Sequence, residues 1–291
     1  MNTIYSVLDA ILPFEFLSFR FMKNAFLAVL LLTPLLGLLG TMAVNQRMAF
    51  FSDALGHSAL TGIGLGMMLG MLDDLVSMLI FGVVWALLIS RINQSGKTSA
   101  DTIISVFSST SIAAGLLILA RGGGFAKYST LLVGDILAIA PGDLLLLLIA
   151  LALGIVSWVL LYNRLLLSSV NAALARSRGI RTNLVSYAFA VLLALAVMLA
   201  IRWVGVMLIN ALLILPAAAA RNMTQNSRGY TLWSVLIALF SGIAGLICAY
   251  YLNTSAGAAI VLASAVCYFV SLAVSAMNCR MKRRKGDKSC A

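Results

Sequence analysis

The run LLLLLIALALGIVSWVLLYN, residues 144–163, lies between Asp143 and Arg164 without one charged side chain. A helix rises about 1.5 Å per residue, so roughly 20 apolar residues cross the ~30 Å hydrocarbon core of a bilayer. Helices in water-soluble folds keep a polar face; this run has none. It reads as a transmembrane helix. Working outward, comparable runs fall near 24–43, 52–72, 73–90, 100–120, 183–201, 203–220, 231–252 and 256–277. With 141–163 they describe an all-α polytopic membrane protein of about nine spans, or eight if 183–220 is one crossing. Composition agrees: the 291 residues are 62% hydrophobic and 10% charged, with mean hydropathy +1.06. No soluble core of that length hides so much apolar surface.

The chain divides into an extracytoplasmic or interfacial amino-terminal segment, 1–23, a membrane domain, 24–277, and a basic tail, 278–291. The amino terminus lacks the basic region, short apolar core and small-residue cleavage site of a removable signal peptide. A short segment, 129–139, between Gly122-Gly123-Gly124 and Pro141 is too short to cross and reads as re-entrant or interfacial. Cys248, Cys267, Cys279 and Cys290 lack the CxxC spacing of a thiolate zinc site and do not suggest a disulfide framework.

Net charge is +11, but the basic residues lie in loops between apolar runs, which argues against a nucleic-acid partner and for a topology signal. In the nine-span arrangement one side collects Arg47, Arg91, Lys97, Arg164, Arg176, Arg178, Arg181, Arg221, Arg228, Arg280, Lys282, Arg283, Arg284, Lys285 and Lys288. Arg20, Lys23, Arg121, Lys127 and Arg202 remain opposite. Cytoplasmic loops carry the Lys and Arg excess, so the amino terminus is expected outside and the carboxyl terminus in the cytoplasm, with the tail near anionic membrane lipid. The longest cytoplasmic loop, about Arg164 to Asn183, holds a short Ala-rich helix at about 171–179 that Gly179 can terminate. It offers a docking point for a cytoplasmic partner, or is a plain amphipathic linker.

Only nine acidic residues and one histidine exist, so any within a span stand out. An Asp at a helix centre costs about 2.5–3.5 kcal/mol on insertion scales. Asp53 and His57, four apart, project from one helix face, where a carboxylate oxygen and an imidazole nitrogen can share a metal ion. Counted as helix from Arg47, His57 is about 15 Å deep, near the bilayer midplane. The bland alternative has Ser52 capping the helix, Asp53 complementing its dipole and His57 hydrogen-bonding a neighbour. Two ligands are too few, so an ion needs water, another segment or the same pair from a second subunit. Ser58, Gly62, Gly66 and Gly70, on the adjacent face, permit close approach of another helix. Asp135 can cap its short segment or line a route, Asp101 is a first-turn residue, and Asp73 and Asp74 form an outer loop.

Three decoys fall away. Gly96-Lys97-Thr98 resembles the end of a phosphate-binding loop, but Arg91 occupies the earlier glycine position. Gly122–Gly124 lacks the strand and helix of a nucleotide fingerprint. One histidine cannot make HExxH. ATP hydrolysis, if used, belongs to another chain.

The stretch Arg47-Met48-Ala49-Phe50-Phe51-Ser52-Asp53-Ala54-Leu55-Gly56-His57-Ser58-Ala59-Leu60 closely resembles the signature of the ABC-3 family of metal permeases. Further matches are Leu132–Leu137, Ala175–Gly179, Val204-Gly205 through Ala211–Ala218, and Ser255–Ile260, so the resemblance spans about 24–277. It implies a multi-pass permease of a prokaryotic plasma (inner) membrane that imports zinc, manganese or iron, with no covalently bound cofactor. It further implies two permease copies (a homodimer), two cytoplasmic ATP-binding subunits and an extracytoplasmic metal-binding protein. By the same resemblance Asp53 and His57 match the membrane metal site. Asn171, Ala175, Arg176, Arg178 and Gly179 match the coupling helix that contacts the ATPase. Asp135, Asn210 and Pro216 are candidate pathway or structural residues. This chain departs from the family at Val170 and Asn171, where an aromatic residue and Asp are usual, which touches the helix's cap and its ATPase contact. The rivals are an ion-coupled secondary metal transporter, distinguished by independence from an ATPase, and an intramembrane enzyme, for which the ionisable groups are too sparse.

Overall fold

Each long apolar run becomes a helix, and the residues that stop it are legible as caps. A computed structural model describes Tyr5 and residues 15–70, 73–96, 98–121, 134–224 and 226–284. The helices are α1 (Arg20–Asn45), α2 (Phe51–Met68), α3 (Asp74–Asn93), α4 (Ala100–Arg121), α5 (Pro141–Val170), α6 (Ala172–Ser177), α7 (Thr182–Val204), α8 (Val206–Met223), α9 (Ser227–Leu252) and α10 (Ala256–Arg284). Asp73 caps α3, its carboxylate accepting from the Leu75 N–H at 2.9 Å. Pro141 opens α5 where a missing N–H costs nothing, and Asp143 accepts from the Ala140 N–H at 3.1 Å. One residue, Gly205 at φ +79°, separates α7 from α8. That conformation disfavours a side chain, and a glycine there lets two spans turn without a loop.

Eight of these helices are long and apolar enough to cross a membrane. The one long helix left out is α2, diluted by Ser52, Asp53, His57 and its glycines. Hydrogen bonds at both ends of α1 decide whether α2 also crosses. Near its start, Asn24 Nδ2 donates to the Ile139 carbonyl just before α5, at 3.1 Å. Just past its end, Gln46 Nε2 donates to the Leu165 carbonyl near the end of α5, at 3.1 Å. So α1 and α5 run parallel, which requires an odd number of crossings between them: α2, α3 and α4 all span. The helix pair α2 and α4 is parallel too, since Thr61 donates to the Ser111 carbonyl at 2.6 Å while Gly64 lies against Ile118 further along. The spans number nine among the described residues, and 183–220 is two crossings.

Packing follows sequence. At one centre, α1 is enclosed by α5, α8 and α9; at the other, α2 sits against α3, α4, α7 and α8. A Cβ on Gly62 would stand 3.0 Å from Phe81 Cβ and 3.1 Å from Met78 Cα, so the small residues of α2 do bring α3 close. The uncharged stretch 144–163 of α5 lies at the periphery with Leu145, Leu153, Val159 and Leu160 exposed, where lipid is the matching solvent. Polar side chains stitch helices together: Ser234 Oγ donates to the Gly37 carbonyl at 2.8 Å, Tyr162 and Ser227 share a hydrogen bond at 2.8 Å, and Asn222 donates to Ser271 Oγ at 3.1 Å. In membranes such bonds average about 0.6 kcal/mol each.

Three sequence expectations shift. The helix of α5 continues past Arg164 to Val170, because nothing in Leu165–Ser169 breaks it. Ser52 does not cap α2: the N-cap is Phe50, and Ser52 is buried with its hydroxyl unpartnered. Since α2 begins at Phe51, His57 is six residues along it, about 9 Å and not 15 Å. Of the short segment 129–139, Ile136–Ala138 forms a 3-10 turn. Residues 129–133, Gly122–Gly124, Lys97, Lys127, 285–291 and all of 1–14 except Tyr5 lie outside the described residues.

Candidate metal-ion site

Asp53 occupies the first turn of α2, where unpaired backbone N–H groups and the helix dipole favour a carboxylate. One turn later, His57 Nε2 stands 3.5 Å from Asp53 Oδ1. Two neighbouring helices complete the surroundings. From α8, Asn210 Nδ2 donates to Asp53 Oδ1 at 2.8 Å; from α4, the Ser108 hydroxyl faces the same carboxylate. The Asp53 and His57 side chains remain 42% and 25% exposed, so the pair is open on one side of the protomer. Asn210 Oδ1 is buried without a hydrogen-bond partner, leaving an acceptor beside the carboxylate. Among the described residues no group of three or more His, Cys, Asp or Glu comes together. The donors gathered here are a carboxylate, an imidazole, an amide and a hydroxyl, a mixed oxygen and nitrogen set that zinc, manganese and iron(II) accept.

The structure thus brings Asn210 to Asp53 across 157 residues of sequence. Ser108 carries no signal as one serine among several in its span; its part is visible only once α4 lies against α2. Pro216 is buried inside α8, two turns beyond Asn210. Asp135 does not form a three-residue ligand group with the pair; its carboxylate caps the 3-10 turn, accepting from the Leu137 N–H at 3.0 Å.

The residues 171–179 form a separate unit, α6, packed on α5 and α7. Asn171 caps it, Oδ1 accepting from the N–H groups of Ala173 and Leu174, both at 3.0 Å. An Asn in place of the usual Asp therefore preserves the cap. The other end closes by paired hydrogen bonds, Ile180 N–H to the Ala175 carbonyl at 3.0 Å and Gly179 N–H to the Arg176 carbonyl at 2.9 Å, with Gly179 at φ +75°. Ala175 is fully buried, whereas Arg176 and Arg178 are exposed.

Comparison with known proteins agrees with this architecture. The manganese import system permease protein ScaB of Streptococcus parasanguinis is 31% identical over 264 residues, covering 88% of this chain and 91% of its own. The high-affinity zinc uptake system membrane protein ZnuB of Haemophilus influenzae is 28% identical over 255 residues, covering 87% and 97%. PsaBC from Streptococcus pneumoniae, solved in complex with Fab, contains a chain that matches with TM-score 0.76 at 27% identity, over 93% of this chain and 95% of that one. A family model matches residues 18–275, taking in the nine spans, the Asp53 and His57 pair and α6: the chain belongs to the ABC 3 transport family.

Proposed function

We propose that this chain is the permease subunit of an ATP-driven importer of divalent transition-metal ions, manganese or zinc and by chemistry also iron, in a prokaryotic plasma membrane. The observation that carries the reading is the half-open Asp53 and His57 pair on the one long helix too polar to face lipid. Such a helix needs protein or water on its open side. A second permease copy supplies that cover and adds its own Asp53 and His57 to the ion's ligands. The side rich in Lys and Arg is cytoplasmic, which places the amino terminus outside. ATP is hydrolysed on two cytoplasmic partner chains that grip α6 through its exposed Arg176, and an extracytoplasmic binding protein delivers the ion. Alternating access then passes the metal across Asp53 and His57, held weakly enough to leave.

The test is ATP-dependent uptake of radioactive manganese and zinc into proteoliposomes holding the chain with its ATPase and binding protein. Wild type accumulates one of the ions and Asp53→Ala loses it. Uptake without ATP would make the chain a secondary transporter instead.

A further inference from the structure

At the junction of α5, α6 and α7 lies a cavity of about 380 Å³ lined by Arg164, Arg178, Gly179, Ile180, Arg181, Leu184 and Val185. Three arginines share it with no carboxylate. None of the three forms an ion pair among the described residues, and the sequence holds no Asp or Glu from 144 to 286. Three exposed guanidinium groups around one hollow attract an anion, and guanidinium forks suit phosphate oxygens. The N-terminus of α7 adds to the same field, because α7 opens at Arg181 without a side-chain cap.

The position of the cavity selects the source of the phosphate. Arg164 lies on α5 just beyond the uncharged run 144–163, and Leu184, an exposed apolar residue in the first turn of α7, forms part of the lining. The hollow therefore sits at the membrane boundary, with guanidinium groups beside apolar surface. That is the layout of a phosphodiester headgroup joined to acyl chains.

We infer that this cavity binds the headgroup of an anionic phospholipid, which ties the C-terminal end of α6 to α5 and α7. The site is independent of Asp53 and His57, and its test reads nothing of metal transport, so either reading can fail alone.

The experiment is native mass spectrometry of the full-length chain in neutral detergent, titrated with phosphatidylglycerol or with phosphatidylcholine of the same acyl composition. Each cationic side chain at a membrane surface adds about fivefold to anionic-lipid affinity. Phosphatidylglycerol should bind about 100-fold more tightly than phosphatidylcholine, three such steps. The double variant Arg164→Gln/Arg181→Gln should weaken it about 25-fold, two such steps. Arg228→Gln, outside the cavity, should leave it unchanged. Equal binding of the two lipids, an unaffected double variant, or an equal loss in Arg228→Gln would each overturn the site. Because removing positive charge can disturb insertion, the wild type provides a second arm: its thermal unfolding midpoint should rise with phosphatidylglycerol and not with phosphatidylcholine. An equal rise from inorganic phosphate would overturn the lipid assignment, and no rise with phosphatidylglycerol would overturn the site.

Discussion

Asn210 holds one oxygen of Asp53 and leaves its own amide oxygen buried and unpaired. A hydrogen bond to a charged group contributes about 1.5–3 kcal/mol, so Asn210→Ala should loosen the carboxylate and raise the metal concentration for half-maximal uptake by about tenfold or more. An unchanged half-maximal concentration in transport assays would remove Asn210 from the site. His57→Ala leaves the carboxylate without its nitrogen neighbour and should abolish uptake while assembly, read by size-exclusion chromatography, persists. Normal uptake by that variant would take the pair out of the mechanism. The pair itself was legible in sequence, because a carboxylate and the only histidine four residues apart in an apolar run are conspicuous. Their surroundings were not, since Ser108 and Asn210 reach Asp53 through helix packing that no local pattern encodes.

Among the elements, α6 is six residues long and too short to hold itself by hydrogen bonds alone. Its definition rests on Asn171 at one end and Gly179 at the other. Asn171→Ala should cost about 1 kcal/mol, and Gly179→Ala about 1–2 kcal/mol because of its left-handed backbone. If α6 couples to an ATPase, both should lower ATP-driven uptake while metal binding at Asp53 stays intact, measured separately by equilibrium titration. Loss of both together would point to general unfolding. In the span, Gly62→Val should force α2 from α3 and cost about 1–3 kcal/mol, read as a lower unfolding midpoint in detergent. Sequence placed most helices to within a few residues, because lipid enforces a continuous apolar run. It ended α5 too soon at Arg164, since a charge marks where lipid stops and not where a helix stops. Asn171, which accepts from the next helix's N–H groups, is the actual break.

For the whole molecule, the parity of crossings is the claim most open to test. On a background with all four cysteines replaced by Ser, Phe50→Cys, Ser95→Cys and Arg178→Cys should label from one face of sealed vesicles and Asp73→Cys from the other. Labelling of Phe50→Cys, which precedes α2, from the same face as Asp73→Cys, which follows it, would mean that α2 does not cross. Hydropathy alone stops at eight spans, because it scores α2 as though lipid surrounded it, whereas α2 is lined by α3, α4, α7 and α8. This has a consequence for biogenesis. With Asp53, His57 and scattered glycines, α2 gains too little from hydrocarbon to leave the translocon alone, and the helices that shelter its polar face are synthesised after it. The expected outcome is that α2 waits at the translocon until α3 and α4 have emerged and that the three leave as a group, which would make the order of synthesis part of what puts a carboxylate inside the membrane.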